Sequence, residues 1–157
     1  MPDISDLIAA AVPREQAVRV CLDGAGAARL AELEDEAAAL EGWQPASLGD
    51  ADPRAELRPL IEQARTALAG ATVEFRFRAL GHRAFSALMA AHPPAPDRPE
   101  LLYGDTFLPA LLAACSTSPT LSPGQVDQLL ERVNYGTAAE LFAAAVAVNE
   151  EPSPIPF

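Results

Sequence analysis

The chain has 157 residues, of which half are apolar but only 6% aromatic, and its formal charge at pH 7 is -11. This length suits one domain with a short segment at each end, and an apolar set rich in alanine favours a core of small side chains between helices. A chain this acidic repels nucleic-acid phosphates and anionic membrane surfaces, so we expect neither as a partner.

The cysteines and the first residues of the chain favour a cytoplasmic protein. Cys21 and Cys115 lie far apart without CxxC or zinc-ligand spacing, and their apolar neighbours favour buried free thiols over a disulfide. Residues 1–12 carry acidic side chains where a secretory signal needs basic ones. No apolar run approaches the roughly 18 residues of a membrane span.

The N-terminal half predicts a helical hairpin that follows a strand. Residues 1–14 are expected to be a flexible lead-in, and 17–22 alternates apolar and polar side chains before a glycine, which indicates a strand. Leucine and alanine then recur at helical spacing, which predicts a hairpin of two helices over 25–69. The second helix is expected to begin with Asp52 as its cap and to end at Gly70.

Residues 71–92 predict a joint between a strand and a helix. Apolar and polar side chains alternate over 72–78, which is the clearest strand pattern in the chain. A helical period follows, with Phe85 and Met89 on one face. The sequence His-Pro-Pro at 92–94 ends that helix, because a residue before proline is driven out of the helical conformation.

Three further helices are predicted over 105–149. Two of them are marked by capping boxes, which Ser122 and Thr137 open with Gln or Glu three positions later. The hydroxyl-rich segment 116–120 is expected to be a turn after the first of these helices. The proline-rich segment 150–157 is expected to be a disordered tail.

Together these elements predict an α+β fold that is predominantly α-helical. A small antiparallel β element with an inserted helical hairpin is followed by a C-terminal helical bundle, in a single domain over 15–149.

The sequence carries no pattern typical of catalysis or of cofactor binding. His82 and His92 fit the start and end of a helix better than a metal site, and "ACSTSPT" lacks a nucleophile elbow. The segment "DGAGAA" lacks the third glycine of a dinucleotide fingerprint, and a chain without lysine has no P-loop lysine. We therefore expect no enzymatic activity, no cofactor and no metal.

Five side chains of the joint are candidates for partner binding: Arg76, Arg78, Arg83, Phe85 and Met89. The three arginines form a local basic cluster on an acidic protein. The alternative is that they pair with the chain's own Glu74 or with acidic residues of the hairpin. The two apolar side chains are candidate anchors for a helical partner, or else part of the domain's own core.

Several segments resemble the tail assembly chaperones of long-tailed (siphovirus-type) phages of actinobacteria. They are "VRVCLDG", "VEFRFRALGHRAFSALMAAHPP", "DTFLPALLAAC" and "ELFAAAVAVN", in this order. The resemblance covers roughly 17–149 and is most specific in the F-x-F-x-A-L strand and the D-T-F-x-P-A-L-L-A-A-C segment. The lysine-free composition also fits a GC-rich actinobacterial host.

The resemblance implies a scaffold without enzymatic activity. Such proteins bind the tape measure protein, a very long helical chain, keep it soluble and recruit major tail protein to polymerise around it. They are absent from the finished tail, and many have a second, longer product made by ribosomal frameshifting. The chain itself is expected to form homo-oligomers. The alternative function is a helical adaptor or regulatory subunit of a bacterial complex unrelated to tails.

Overall fold

A computed structural model describes residues 1–156 of the chain. Within these residues the elements are α1 (Ile4–Ala9), β1 (Glu15–Cys21), α2 (Gly24–Ala39), α3 (Arg54–Ala71), β2 (Thr72–Arg78), α4 (His82–Ala91), α5 (Phe107–Cys115), β3 (Ser116–Ser118), α6 (Pro123–Arg132) and α7 (Tyr135–Glu150). The predicted fold class, α+β and predominantly helical with a small antiparallel sheet, is confirmed.

The chain divides into two compact units. One comprises residues 1–18 together with the described residues from Glu74 onward, and the other comprises Arg19–Val73. The boundaries between these units fall inside β1 and β2. The single domain expected over 15–149 stays a prediction.

The three strands form one antiparallel sheet in the order β1-β2-β3. The Ala79 N–H donates to the Arg14 carbonyl oxygen at 2.8 Å beside one end of the β1–β2 pair. On the other side of β2, Phe77 lies opposite Ser116 in β3. The predicted turn at 116–120 was therefore wrong for Ser116–Ser118, which form β3, whereas Pro119 does lie in a turn. Three residues are too few to show the alternation by which a strand is recognised.

The unit Arg19–Val73 contains the predicted hairpin of α2 and α3. Leu33 is buried, and the Asp23 carboxylate caps α2 by accepting from the Gly26 N–H at 2.8 Å. Both predicted ends of α3 were wrong. The N-cap is Pro53 and not Asp52, and the helix continues past Gly70 to Ala71 and passes directly into β2. No glycine within residues 1–156 has the positive φ that a glycine helix cap uses.

The core of the other unit lies between β2 and the C-terminal helices. Its fully buried side chains include Phe77, Phe107, Leu111, Leu141 and Val148. These are the positions that period-2 and period-3.6 patterns place on the inner faces of a strand and of helices.

The two expected capping boxes have different outcomes. Ser122 and Gln125 form a complete box at the start of α6. The box expected at Thr137 was wrong, because α7 begins one turn earlier and the Asn134 side chain accepts from the Thr137 N–H at 2.9 Å. Asparagine is as good an N-cap as serine, and here it precedes the threonine.

The end segments contain more helix than the sequence indicated. Residues Ile4–Ala9 form α1 inside the expected lead-in, and α7 extends to Glu150, the first residue of the expected tail. Phe157, the last residue of that tail, lies outside the described residues. Over residues 1–156, no helix combines the length and the apolar character that crossing a membrane requires.

Candidate functional site

Helix α5 lacks a polar face, and this makes it the starting point of the site. From Phe107 to Cys115 its sequence is FLPALLAAC, without a charged or amide side chain. Phe107, Leu111, Leu112 and Cys115 are buried. A helix that is apolar all round is normally covered on every side, yet Ala114 on α5 is exposed.

An open groove of about 680 Å³ lies against this uncovered side, and we call it the α5 groove. Helix α5 contributes small side chains, namely Pro109, Ala110, Ala113 and Ala114. Further apolar side chains come from Leu88 on α4, from Leu121 just before α6 and from Pro123 at its start. The polar members are His92, Asp105, Thr106 and Asp127. A concave apolar surface with a few polar groups is the usual form of a binding site.

The end of α4 is fixed to the start of α5 next to the groove. His92 Nδ1 and Thr106 Oγ1 are 2.8 Å apart, and the Gly104 N–H donates to the His92 carbonyl oxygen at 2.8 Å. A Cβ on residue 104 would overlap the Pro93 carbonyl oxygen, so only glycine fits this close approach. The connector 93–104 is thus closed at its ends, and Asp105 and Thr106 are held beside His92.

The side of the groove formed by Leu121 is fixed by a buried serine. The Ser116 hydroxyl oxygen accepts from the Leu121 N–H at 2.9 Å, and the hydroxyl donates to the Ala113 carbonyl oxygen at 3.3 Å. The capping box of Ser122 then sets the direction of α6. Short hydrogen bonds on both sides therefore hold the groove in shape.

The charged side chains that line the α5 groove are the carboxylates of Asp105 and Asp127, and both residues are exposed. No arginine contributes to the lining within the described residues. The chain as a whole carries a charge of -11. The groove therefore combines an apolar surface with a negative potential at its edges.

Cys115, on the buried side of α5, is not a reactive thiol. Burial raises the pKa of this thiol from its ordinary value near 9.0 to about 12, against the smaller opposing effect of its hydrogen bonds. Nucleophilic chemistry needs the thiolate, which burial disfavours here. Cys21 is also a free cysteine, half-buried in the other unit.

Two of the three predicted site arginines pair with the chain's own carboxylates. Arg76 Nη2 lies 2.7 Å from a Glu74 carboxylate oxygen, and Arg78 Nη2 lies 2.7 Å from a Glu15 carboxylate oxygen. Arg83 is exposed in the first turn of α4. The expected pairing with Glu74 is confirmed for Arg76, whereas Arg78 pairs with Glu15 on β1 and not with the hairpin. The role of these arginines toward a partner stays a prediction.

Phe85 and Met89 are both half-buried on α4. The Phe85 ring meets the Phe107 ring edge to face, with centroids 5.8 Å apart. This geometry is favourable for aromatic pairs, and it ties α4 to α5. Phe85 thus contributes to the packing that holds the two helices together, and neither residue lines the α5 groove.

The α5 groove was not predicted from the sequence. Its signal was present, because the segment 107–115 has apolar residues on every side where an amphipathic helix has a polar face. The sequence does not predict which side of α5 is left uncovered, since this depends on where α4 and α6 pack.

No group of three or more His, Cys, Asp or Glu side chains arranged to hold a metal ion occurs within residues 1–156. Comparison of the chain with protein-family models, with curated proteins and with solved structures gave no match in any of the three.

Proposed function

We propose that this chain is a phage tail assembly chaperone that acts in the host cytoplasm without enzymatic activity. In this role it binds the tape measure protein, keeps that long helical chain soluble and recruits major tail protein during tail assembly. It is released before the tail is complete.

The α5 groove is the observation that carries the proposal. A chaperone for a helical client needs an apolar concave surface into which the apolar face of a helix fits. It also needs a strongly charged exterior, because net charge keeps a protein with an open apolar surface from aggregating. The groove of about 680 Å³ supplies the first property, and the charge of -11 supplies the second.

Co-expression tests the proposal directly. The gene of a tape measure protein is a very long reading frame, and we expect one just downstream of the gene for this chain. Co-expression of the two proteins should raise the soluble yield of the long protein several-fold over its expression alone.

An unchanged soluble yield, or the absence of such a reading frame, would contradict the chaperone role. A helical adaptor of a bacterial complex would then be the better description. Copurification with a protein unrelated to phage tails would identify that complex.

A further inference from the structure

We propose that the α5 groove binds an amphipathic helix whose apolar stripe is flanked by lysine or arginine, an inference that rests on the proposed function and specifies the client segment. The occupant is a basic helix of another protein and not a second copy of this chain.

The shape of the groove favours a helix with bulky apolar side chains. Along α5 the groove is lined at helical spacing by Ala110, Ala113 and Ala114. Their short side chains project little from the helix. Leu88 and Leu121 line the groove from other segments. Small side chains let a partner helix approach closely, and the partner must then supply the bulk that fills the groove.

The charge of the groove selects the flanks of that helix. Asp105 and Asp127 are exposed and line the groove. Within residues 1–156, no arginine lines it. Basic side chains beside the apolar stripe of a partner would lie near these carboxylates, whereas acidic side chains would be repelled.

The chain's own exposed apolar helix does not fit this pattern. Ile4, Leu7 and Ile8 of α1 are 65%, 52% and 68% exposed, so α1 of a second copy is the obvious competitor for the groove. The charged side chains within and next to α1, however, are those of Asp3 and Asp6. These carboxylates would meet Asp105 and Asp127, which disfavours α1 as the occupant.

Binding of two synthetic helices tests the proposal. Both are fluorescein-labelled peptides with the same stripe of leucine and alanine, flanked by lysine in one and by glutamate in the other. Fluorescence anisotropy with the full chain measures their dissociation constants at low salt.

The lysine peptide should bind about three- to tenfold more tightly than the glutamate peptide, as expected for two exposed ion pairs. This preference should shrink as salt screens the charges.

Three variants make the test specific to the groove. Ala113→Glu places a charge among the apolar side chains and should weaken lysine-peptide binding at least tenfold. The double variant Asp105→Lys with Asp127→Lys should reverse the preference toward the glutamate peptide. Asp35→Lys, on the exposed side of α2 in the other unit, is the matched control and should leave the preference unchanged.

The inference is overturned if the two peptides bind equally at low salt, if neither binds, or if the double variant keeps the lysine preference. It is also overturned if sedimentation shows a dimer that Ala113→Glu converts to a monomer, because the occupant is then a second copy. If the wild-type chain does not raise the soluble yield of the client, the proposed function is refuted instead. Solubilisation that survives Ala113→Glu refutes only the placement of the client in the groove.

Discussion

The side chain of Asn149 links the strand–helix joint to α7, and its removal gives the sharpest structural prediction. Asn149 Oδ1 accepts from the Leu80 N–H at 2.7 Å, and Nδ2 donates to the Ala145 carbonyl oxygen at 2.7 Å. The substitution Asn149→Ala removes both bonds and leaves the half-buried Leu80 N–H without its acceptor. The lost bonds and the unpaired donor together should lower the free energy of unfolding by about 1–3 kcal/mol.

Urea unfolding followed by circular dichroism measures this loss, and amide hydrogen exchange of Leu80 reports the bond itself. The variant should show faster exchange at Leu80 than the wild type. Glu150→Ala is the control, because Glu150 is an exposed neighbour and its truncation should change stability by less than about 0.5 kcal/mol. Unchanged Leu80 exchange in Asn149→Ala would refute the structural role given to Asn149.

Three further predictions concern single residues. Below about pH 9 the thiol of Cys115 is protonated in both the folded and the unfolded state, but between about pH 9 and 12 only the folded state keeps the proton. The free energy of unfolding should therefore fall more steeply with rising pH in the wild type than in Cys115→Ala. Equal pH dependence of the two unfolding free energies, measured with urea, would contradict this. Pro59 lies inside α3 and has no N–H to donate to the helix. Pro59→Ala should therefore raise the free energy of unfolding by about 1–2 kcal/mol, which thermal melts measure. An unchanged melting temperature would contradict this expectation. Gly104→Ala should lower the free energy of unfolding by at least about 1 kcal/mol, because its Cβ would overlap the Pro93 carbonyl oxygen. Gly124→Ala is the control and should be neutral or stabilising, because its Cβ has no neighbour within 4 Å. Equal melting temperatures of the two variants would contradict the close approach at residue 104.

Strong periodicity is what made part of the fold predictable. The strand over 72–78 was placed correctly because its side chains alternate without a break, and β2 spans Thr72–Arg78. The end of α4 was predictable for a different reason, since His92 precedes two prolines and is the C-cap. Each of these signals is local, so no knowledge of the packing was needed.

The missed features depend on contacts between distant residues. The three residues of β3 become a strand only because β2 offers a partner edge, with Ser118 opposite Arg76. Likewise, α3 continues through Gly70 because the chain passes directly from the helix into β2.

The candidate site was not predicted, for the same reason: none of the five residues singled out from the sequence lines the α5 groove. The sequence shows that Arg76 and Arg78 share a strand face, but the acceptor Glu15 lies on β1 and becomes a neighbour only when the sheet forms. The α5 groove is harder still to predict from the sequence, because it is the part of α5 that α4 and the start of α6 leave uncovered.

Photo-crosslinking in cells that co-express the long helical client tests the central claim most directly. A benzophenone amino acid at position 114, exposed in the α5 groove, is compared with the same amino acid at position 35 on α2. We expect a crosslink to the client from position 114 and none from position 35. A crosslink from position 35 alone, or crosslinks from position 114 only to other copies of this chain, would contradict it.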